Sequence, residues 1–201
     1  MAHKFAELAF TPAVRQVQTE QGSRRAYERM DDGEFDYNNL IGPDEAAFIQ
    51  SRDSVYMATV SETGWPYIQH RGGPAGFIKV LNERQIGFLD YRGNRQYVSV
   101  GNLKGSDRVS MFFMDYARKA RLKLLGHARV VSNEEAAEQG LSVPEGYRAR
   151  SERAFVIDVA GFDWNCPQHI TERYTIEELR PSIGKLQARI DELEAQLAAK
   201  E

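Results

Sequence analysis

The stretch Val55-Tyr56-Met57-Ala58-Thr59-Val60-Ser61-Glu62-Thr63-Gly64-Trp65-Pro66-Tyr67-Ile68-Gln69-His70 decides the fold. Val55 to Val60 is rich in β-branched and aromatic residues, Ser61 to Pro66 is a polar turn containing a glycine, and Tyr67 to His70 resumes the extended pattern. The segment therefore reads as two antiparallel strands joined by a short turn. After the Gly72-Gly73-Pro74 interruption, Phe77 to Leu81 and Ile86 to Asp90 flank Asn82-Glu83-Arg84-Gln85 as a second hairpin. Further strands are expected over Arg108–Met114, Leu122–Val131 and Ala154–Ala160, with a short helix within Tyr97–Leu103. Gly126, inside its strand, signals a bulge or a close backbone approach. Strands at short spacing with few long helices between them argue an antiparallel barrel rather than βαβ units.

Helices flank this core. Pro43, Asp44 and Glu45 open a short helix through Phe48 and Ile49, because proline suits the first helical position and acids suit the first turn. Arg15 to Asp36 is polar, with breakers at Gly22-Ser23 and Asp31-Asp32-Gly33, and reads as a surface loop or a marginal helix. From Pro181 onward Ile183, Leu186, Ile190, Leu193 and Leu197 recur at alternating steps of three and four, the spacing of heptad a and d positions. Ile183 and Ile190 at a with Leu186 and Leu193 at d is the choice associated with parallel two-stranded coiled coils. Barely three heptads serve equally a helix packed on its own barrel and one paired with a second copy. The layout expected is an amino-terminal arm over 1–40, a barrel over 41–175 and a heptad helix over 176–201.

The chain's 201 residues suit one generous domain with an appendage, and 42% hydrophobic with 27% charged residues excludes wholesale disorder. A net charge of -3 removes the basic field that nucleic acid binding needs. No apolar run approaches the ~18 residues of a membrane span, and Met1 to Phe10 lacks the basic and apolar regions of a secretory leader. Cys166, the single cysteine, has no partner for an intramolecular disulfide, and no Cys/His cluster has zinc-like spacing. No metal is expected, and a reducing, cytoplasmic location fits best.

Two clusters could carry chemistry. Gln69-His70-Arg71-Gly72-Gly73-Pro74 and Asp90-Tyr91-Arg92-Gly93-Asn94-Arg95-Gln96 both lie at strand ends. Arg offers a planar fork of donors, Asn and Gln add amides, and glycine permits close backbone approach, a combination suited to a phosphorylated ligand and equally common in solvated turns. The second cluster is Trp164-Asn165-Cys166-Pro167-Gln168-His169-Ile170. Gln168 or His169 can hydrogen-bond a ligand there, or Trp164 can plug the core while its neighbours cap a chain reversal. Cys166 is expected to be a buried structural thiol, His127 a satisfied barrel residue and His3 simply terminal. No nucleophile, metal site or acid/base pair stands out, so no catalytic residue is assigned.

Met57 to Tyr67 resembles the opening hairpin of the pyridoxamine 5'-phosphate oxidase-like family, which reads Ala-Thr-Val, a polar turn with Gly, then Pro. Gly87-Phe88 followed by Gly93-Asn94-Arg95-Gln96 is similar to that family's strand and Gly-Ser-Arg-Lys turn. Arg108-Val109-Ser110-Met111-Phe112-Phe113 and Leu125-Gly126-His127-Ala128 resemble two later strands, so the likeness runs from about residue 40 to 165. It implies a split β-barrel homodimer that binds FMN at the subunit interface, with mainly β structure, flanking helices and the heptad helix appended. Arg95 takes the place of the phosphate-binding Arg, Asn94 stands for the usual Ser, and Gln96 replaces the frequent Lys. Arg71 is inferred to supply the missing cation, and Lys79 falls near a phosphate-contacting lysine. Gln69, His70 and Gly72 lie on the strand that runs along the flavin ring, with Tyr91 beside the phosphate turn and Trp164 and Gln168 in reach of the ring. The oxidases' carboxy-terminal Arg and His pattern is absent, so vitamin B6 oxidation is not implied. The leading expectation is a flavin-dependent oxidoreductase whose donor is a small molecule, NAD(P)H among the candidates. The alternatives are a flavin-binding or storage protein without turnover, and a barrel that takes a deazaflavin or haem.

Overall fold

A computed structural model describes residues 3–31, 37–164 and 166–199. The breakers Asp32 and Gly33 and the residue Asn165 of the second cluster lie outside the described residues. Two compact units separate, one comprising Met1–Met114 with Arg121–Cys166, the other Asp115–Ala120 with Pro167–Glu201.

The first unit is built on a seven-stranded antiparallel sheet in the order β2-β1-β5-β6-β7-β4-β3, with flanking helices, the arrangement of a split barrel. The opening hairpin forms as its sequence dictates, β1 (Ser54–Val60) pairing with β2 (Pro66–Gly72) in a register that sets Met57 against Gln69 and Val60 against Pro66. The second hairpin is β3 (Ile78–Asn82) and β4 (Gln85–Tyr91). β5 (Arg108–Asp115) and β6 (Ala120–Val131) follow, and β7 (Ser151–Trp164) closes the sheet. Val55, Met57 and Thr59 alternate inward from β1 and meet Phe88, Met111, Phe113, Leu122, Leu124, Phe155 and Ile157 in the core.

Gly126 fulfils both readings of its position. The β6–β7 register shifts between Leu125 and Gly126, and a Cβ at Gly126 would stand 2.5 Å from the Asp158 carbonyl oxygen and 2.8 Å from Ile157 Cγ2. β7 runs longer than its apolar core suggests, because Gly161 to Trp164 continue the ladder with β6. At Gly161 the missing side chain admits a helix: a Cβ there would meet the Phe5 nitrogen at 2.7 Å. That helix, α1 (Lys4–Ala9), buries Ala6 completely, and α2 (Pro12–Glu20) and α3 (Arg24–Tyr27) follow it. Thr11 caps α2 by accepting from the Val14 N–H, with proline at its first position, so helix replaces much of the loop that the polar composition allowed. α4 (Pro43–Gln50) starts at the expected proline, and the Glu45 carboxylate accepts from the Gly42 N–H. α5 (Val98–Gly105) and α6 (Asn133–Glu138) complete the unit.

His3 is not a free terminus. It is buried, its Nε2 lies 3.1 Å from Asn38 Nδ2 and 3.7 Å from Asp163 Oδ1, and its backbone bridges Tyr37. His127, on β6 of the barrel, faces outward and lies 3.1 Å from Asp107, as the alternation along the strand requires. In the second unit the helix α7 (Ile176–Ala198) begins more than a turn before Pro181, capped by Thr175 and Glu178. Cys166 is exposed, correcting the expectation of a buried thiol. Among the described residues no helix is long and apolar enough to cross a membrane.

Two outcomes follow from the packing. Gly126→Ala should lower the unfolding free energy by about 1–3 kcal/mol in urea titration, because the new methyl meets backbone that cannot yield. Burial pushes the His3 imidazole below its ordinary value of 6.5, against the opposing pull of Asp163. The unfolded chain therefore takes up that proton first as the pH falls, and stability present above the ordinary value is lost below it. The melting temperature should drop between about pH 7 and about pH 5.5, with a shallower slope in His3→Asn measured by circular dichroism.

Candidate functional site

The carboxyl end of β4 carries an acid where the apolar run Ile86-Gly87-Phe88-Leu89 leads into the sheet interior. Asp90 is buried, and burial raises its carboxyl above the usual carboxylate range while Arg71 and Arg153 draw it back. Arg71 Nη1 donates to Asp90 Oδ1 at 2.5 Å, and Arg153 Nε stands 3.5 Å from Asp90 Oδ2. Burial also lowers the Arg71 pKa, with Asp90 opposing. Arg71 is thus a largely buried cation already paired with an acid, not an ordinary solvated turn residue. Its Nε is buried without a hydrogen-bond partner, a donor left over after the ion pair is made.

Around this pair lies a cleft of about 170 Å³. β2 contributes Gln69 and Arg71, whose side chains share the inward face because they are two residues apart. The end of β4 contributes Tyr91, and the turn after it Gly93, Asn94 and Arg95. Asn94 Oδ1 accepts from the Gln96 N–H, and Arg95 (φ 61°) and Tyr97 (φ 55°) both hold left-handed backbone, so the turn is wound tightly. Arg95 Nε donates to the Tyr97 hydroxyl, which in turn donates to Glu152 on β7, while Arg153 stacks on the Tyr97 ring at 4.7 Å. The amino end of α5 completes the wall with Ser99, whose hydroxyl donates to Gln69 Oε1 at 3.1 Å. α5 is anchored on the barrel by the buried hydrogen bond from Asn102 Nδ2 to Thr59 Oγ1 at 2.9 Å. Asp90 and Glu152 line the cleft with Arg71 and Arg95, and Arg92 and Arg153 pair with the same two acids from outside the lining, so four guanidiniums surround two carboxylates in the cluster as a whole.

The cleft thus gathers Gln69, Arg71, Tyr91, Asn94 and Arg95. Gln96 sits exposed on the same turn, bonded through its backbone. His70 alternates to the opposite face of β2, edge-on to Tyr56 at 5.6 Å, and Gly72 lies beside the His70 ring and the Asp53 carbonyl. Lys79 is exposed on β3, opposite Gly87, away from the cleft. Trp164 ends β7, its ring against Phe48 at 4.7 Å and its Nε1–H donating to Glu45 at 2.8 Å. Glu152 stands near the other end of that strand, roughly 40 Å of extended chain away at ~3.3 Å per residue. Gln168 belongs to the second unit, where it is exposed. Sequence reasoning missed the roles of Asp90, Tyr97, Ser99, Glu152 and Arg153. An acid closing an apolar strand was the one available signal, since its burial demands a cation.

Comparison with known proteins agrees with this architecture. Residues 41–163 match the model of the pyridoxamine 5'-phosphate oxidase family, and the chain belongs to that family. Among solved structures, a putative pyridoxamine 5'-phosphate oxidase from Lactobacillus delbrueckii is 18% identical over 62% of this chain and 94% of its own, with a TM-score of 0.47. HupZ of Group A Streptococcus is 14% identical over 67% of this chain and 100% of its own, with a TM-score of 0.46. An FMN-binding protein from Syntrophomonas wolfei is 12% identical over 77% of this chain and 95% of its own, with a TM-score of 0.43. No curated protein matches the sequence.

Asp90→Ala should strip two partly buried guanidiniums of their acceptor and cost about 3 kcal/mol of stability in urea titration. Adding Arg71→Met should restore part of that loss, because the uncompensated buried charge is then removed.

Proposed function

We propose that the chain is an FMN-binding flavoprotein that acts as an oxidoreductase on a small molecule, as a homodimer with the cofactor at the subunit interface. The observation that carries this reading is the cleft and its surroundings: four guanidiniums around two carboxylates, an orphaned buried donor on Arg71, and an open Gly93 with nothing within 4 Å of its Cβ position. A phosphate monoester supplies what these groups lack, namely two negative charges and several acceptor oxygens in a small volume. Arg95, Asn94 and the Ser99 hydroxyl are the groups that would hold it, while Asp90 fixes the orientation of Arg71 beneath them. Gln69 is set by Ser99 so that its amide N–H is free to donate along β2. A flavin, when bound, supplies the hydride or electron transfer, and the protein's part is to position the ring and exclude water.

Two features support the dimer. A cleft of about 170 Å³ is smaller than the ~300–1,000 Å³ of most ligand pockets, enough for the phosphate end of a flavin nucleotide but not for its ring system. The outer face of β1 and β2 is also apolar, with Tyr56, Val60 and Ile68 left 37%, 40% and 64% exposed and Phe112 beside Tyr56 in the ladder. A second copy laid on that face would cover it. The lone, exposed Cys166 is in keeping with a cytoplasmic setting.

The test is an FMN titration followed by anaerobic addition of NADPH or NADH. Binding near one flavin per chain with bleaching of the flavin absorbance is the expected result. Binding without bleaching by either donor would favour storage, and no binding would remove the phosphate assignment. Arg95→Ala should weaken FMN binding by about 1–3 kcal/mol, roughly 5- to 150-fold in Kd, without changing the melting temperature of the apoprotein.

A further inference from the structure

We propose that α7 pairs with the α7 of a second copy of this chain as a parallel, in-register two-stranded coiled coil. The helix runs for 23 residues, about 35 Å at ~1.5 Å per residue. Its start at Ile176 extends the seam by one a and one d position. Ile176, Ile183, Ile190 and Leu197 occupy a, and Leu179, Leu186 and Leu193 occupy d. All are exposed, from 40% at Leu179 to 72% at Ile176, a continuous apolar stripe in water. Both helix-weakening residues fall away from it, Pro181 at f and Gly184 at b, so a partner helix meets neither.

Composition and charge select the occupant. β-branched residues at three of the four a positions with leucine at every d position favour two parallel strands. In the parallel register each g residue faces the e residue five positions on in its partner. Arg189 at g then meets Glu194, Ser182 meets Gln187, and no like charges are opposed. Arg189 now bonds Glu192 of its own helix at 2.5 Å, a contact on the solvent side of the seam that a rotamer change exchanges for Glu194 of the other chain. An antiparallel pair pivoting near Ala188 would join Arg180 to Glu194 but set the two Arg189 side chains against each other and place leucine opposite isoleucine in four of its six layers.

The test uses the full chain carrying Cys166→Ser and Ile190→Cys in a glutathione redox buffer, read by non-reducing electrophoresis. A parallel coil brings the two introduced thiols face to face, so a covalent dimer should form at least tenfold faster than with Ala188→Cys, whose f position points outward. Adding Arg189→Glu should slow the Ile190→Cys cross-link several-fold, and adding Glu194→Arg as well should restore it. Equal rates at the two positions, or no rescue by the charge swap, would overturn the proposal in favour of an α7 that lies on its own barrel, runs antiparallel or takes a different protein. Sedimentation of the same samples keeps the barrel dimer distinct. A dimer lacking the 190 cross-link overturns the coil alone, and a cross-linked protein that fails to bind FMN overturns the flavin reading alone.

Discussion

The two-sided pairing of β7 is the constraint on which the rest of the first unit depends. This strand of 14 residues hydrogen-bonds to β4 on one edge and β6 on the other, so it ties the second hairpin to the remainder of the sheet. Its own sequence reflects that position: Ala154 to Ile157 are all buried, the continuous apolar run of a strand covered on both faces. The pairing also sets the cleft. Asp90 lies opposite Arg153 and Tyr91 opposite Ser151 in the β4–β7 register, which delivers Arg153 and Glu152 to the acid and the tyrosines of the turn. A slip of one residue would turn both charges to the other face.

Within the cleft, position is achieved by charge burial rather than by shape. Arg71 and Arg153 converge on one carboxylate, and the cost of holding that carboxylate away from water is offset only while both guanidiniums remain. The arrangement fixes Arg71 through Nη1 and leaves its buried Nε without a hydrogen-bond partner. Arg95 is held differently, by the Tyr97 hydroxyl at the exposed end of a tightly wound turn. A largely buried, ion-paired guanidinium and an exposed one therefore share the same small volume.

Much of the fold was legible because its signals are local. Both hairpins, the Pro43 helix, the Gly126 irregularity and the heptad spacing each rest on a few neighbouring residues. What escaped depends on contacts distant in sequence. Nothing in Lys4–Ala9 announces a helix until Gly161 is known to lie beneath it, and nothing in His3 announces burial until Asn38 and Asp163 surround it. The cleft divides in the same way. Asn94 and Arg95 could be read from a turn motif, and Gln69 and Arg71 from alternation along one strand. Of the partners that fix them, Asp90 showed only as an acid closing an apolar strand and Tyr97 as a neighbour in the turn, while Ser99 and Glu152 come from α5 and β7 and carried no local signature.

The length of β7 has a further implication for how this domain tolerates change. Its two ends serve unrelated tasks, the cleft at Glu152 and Arg153 and the seat of α1 and Trp164 at the other extremity, with a rigid hydrogen-bonded ladder between them. Residues so far apart with no shared neighbours contribute additively to stability. The amino-terminal helices and the aromatic contact of Phe48 with Trp164 can thus be remodelled by evolution or by engineering as a module, free of epistasis with the cleft end.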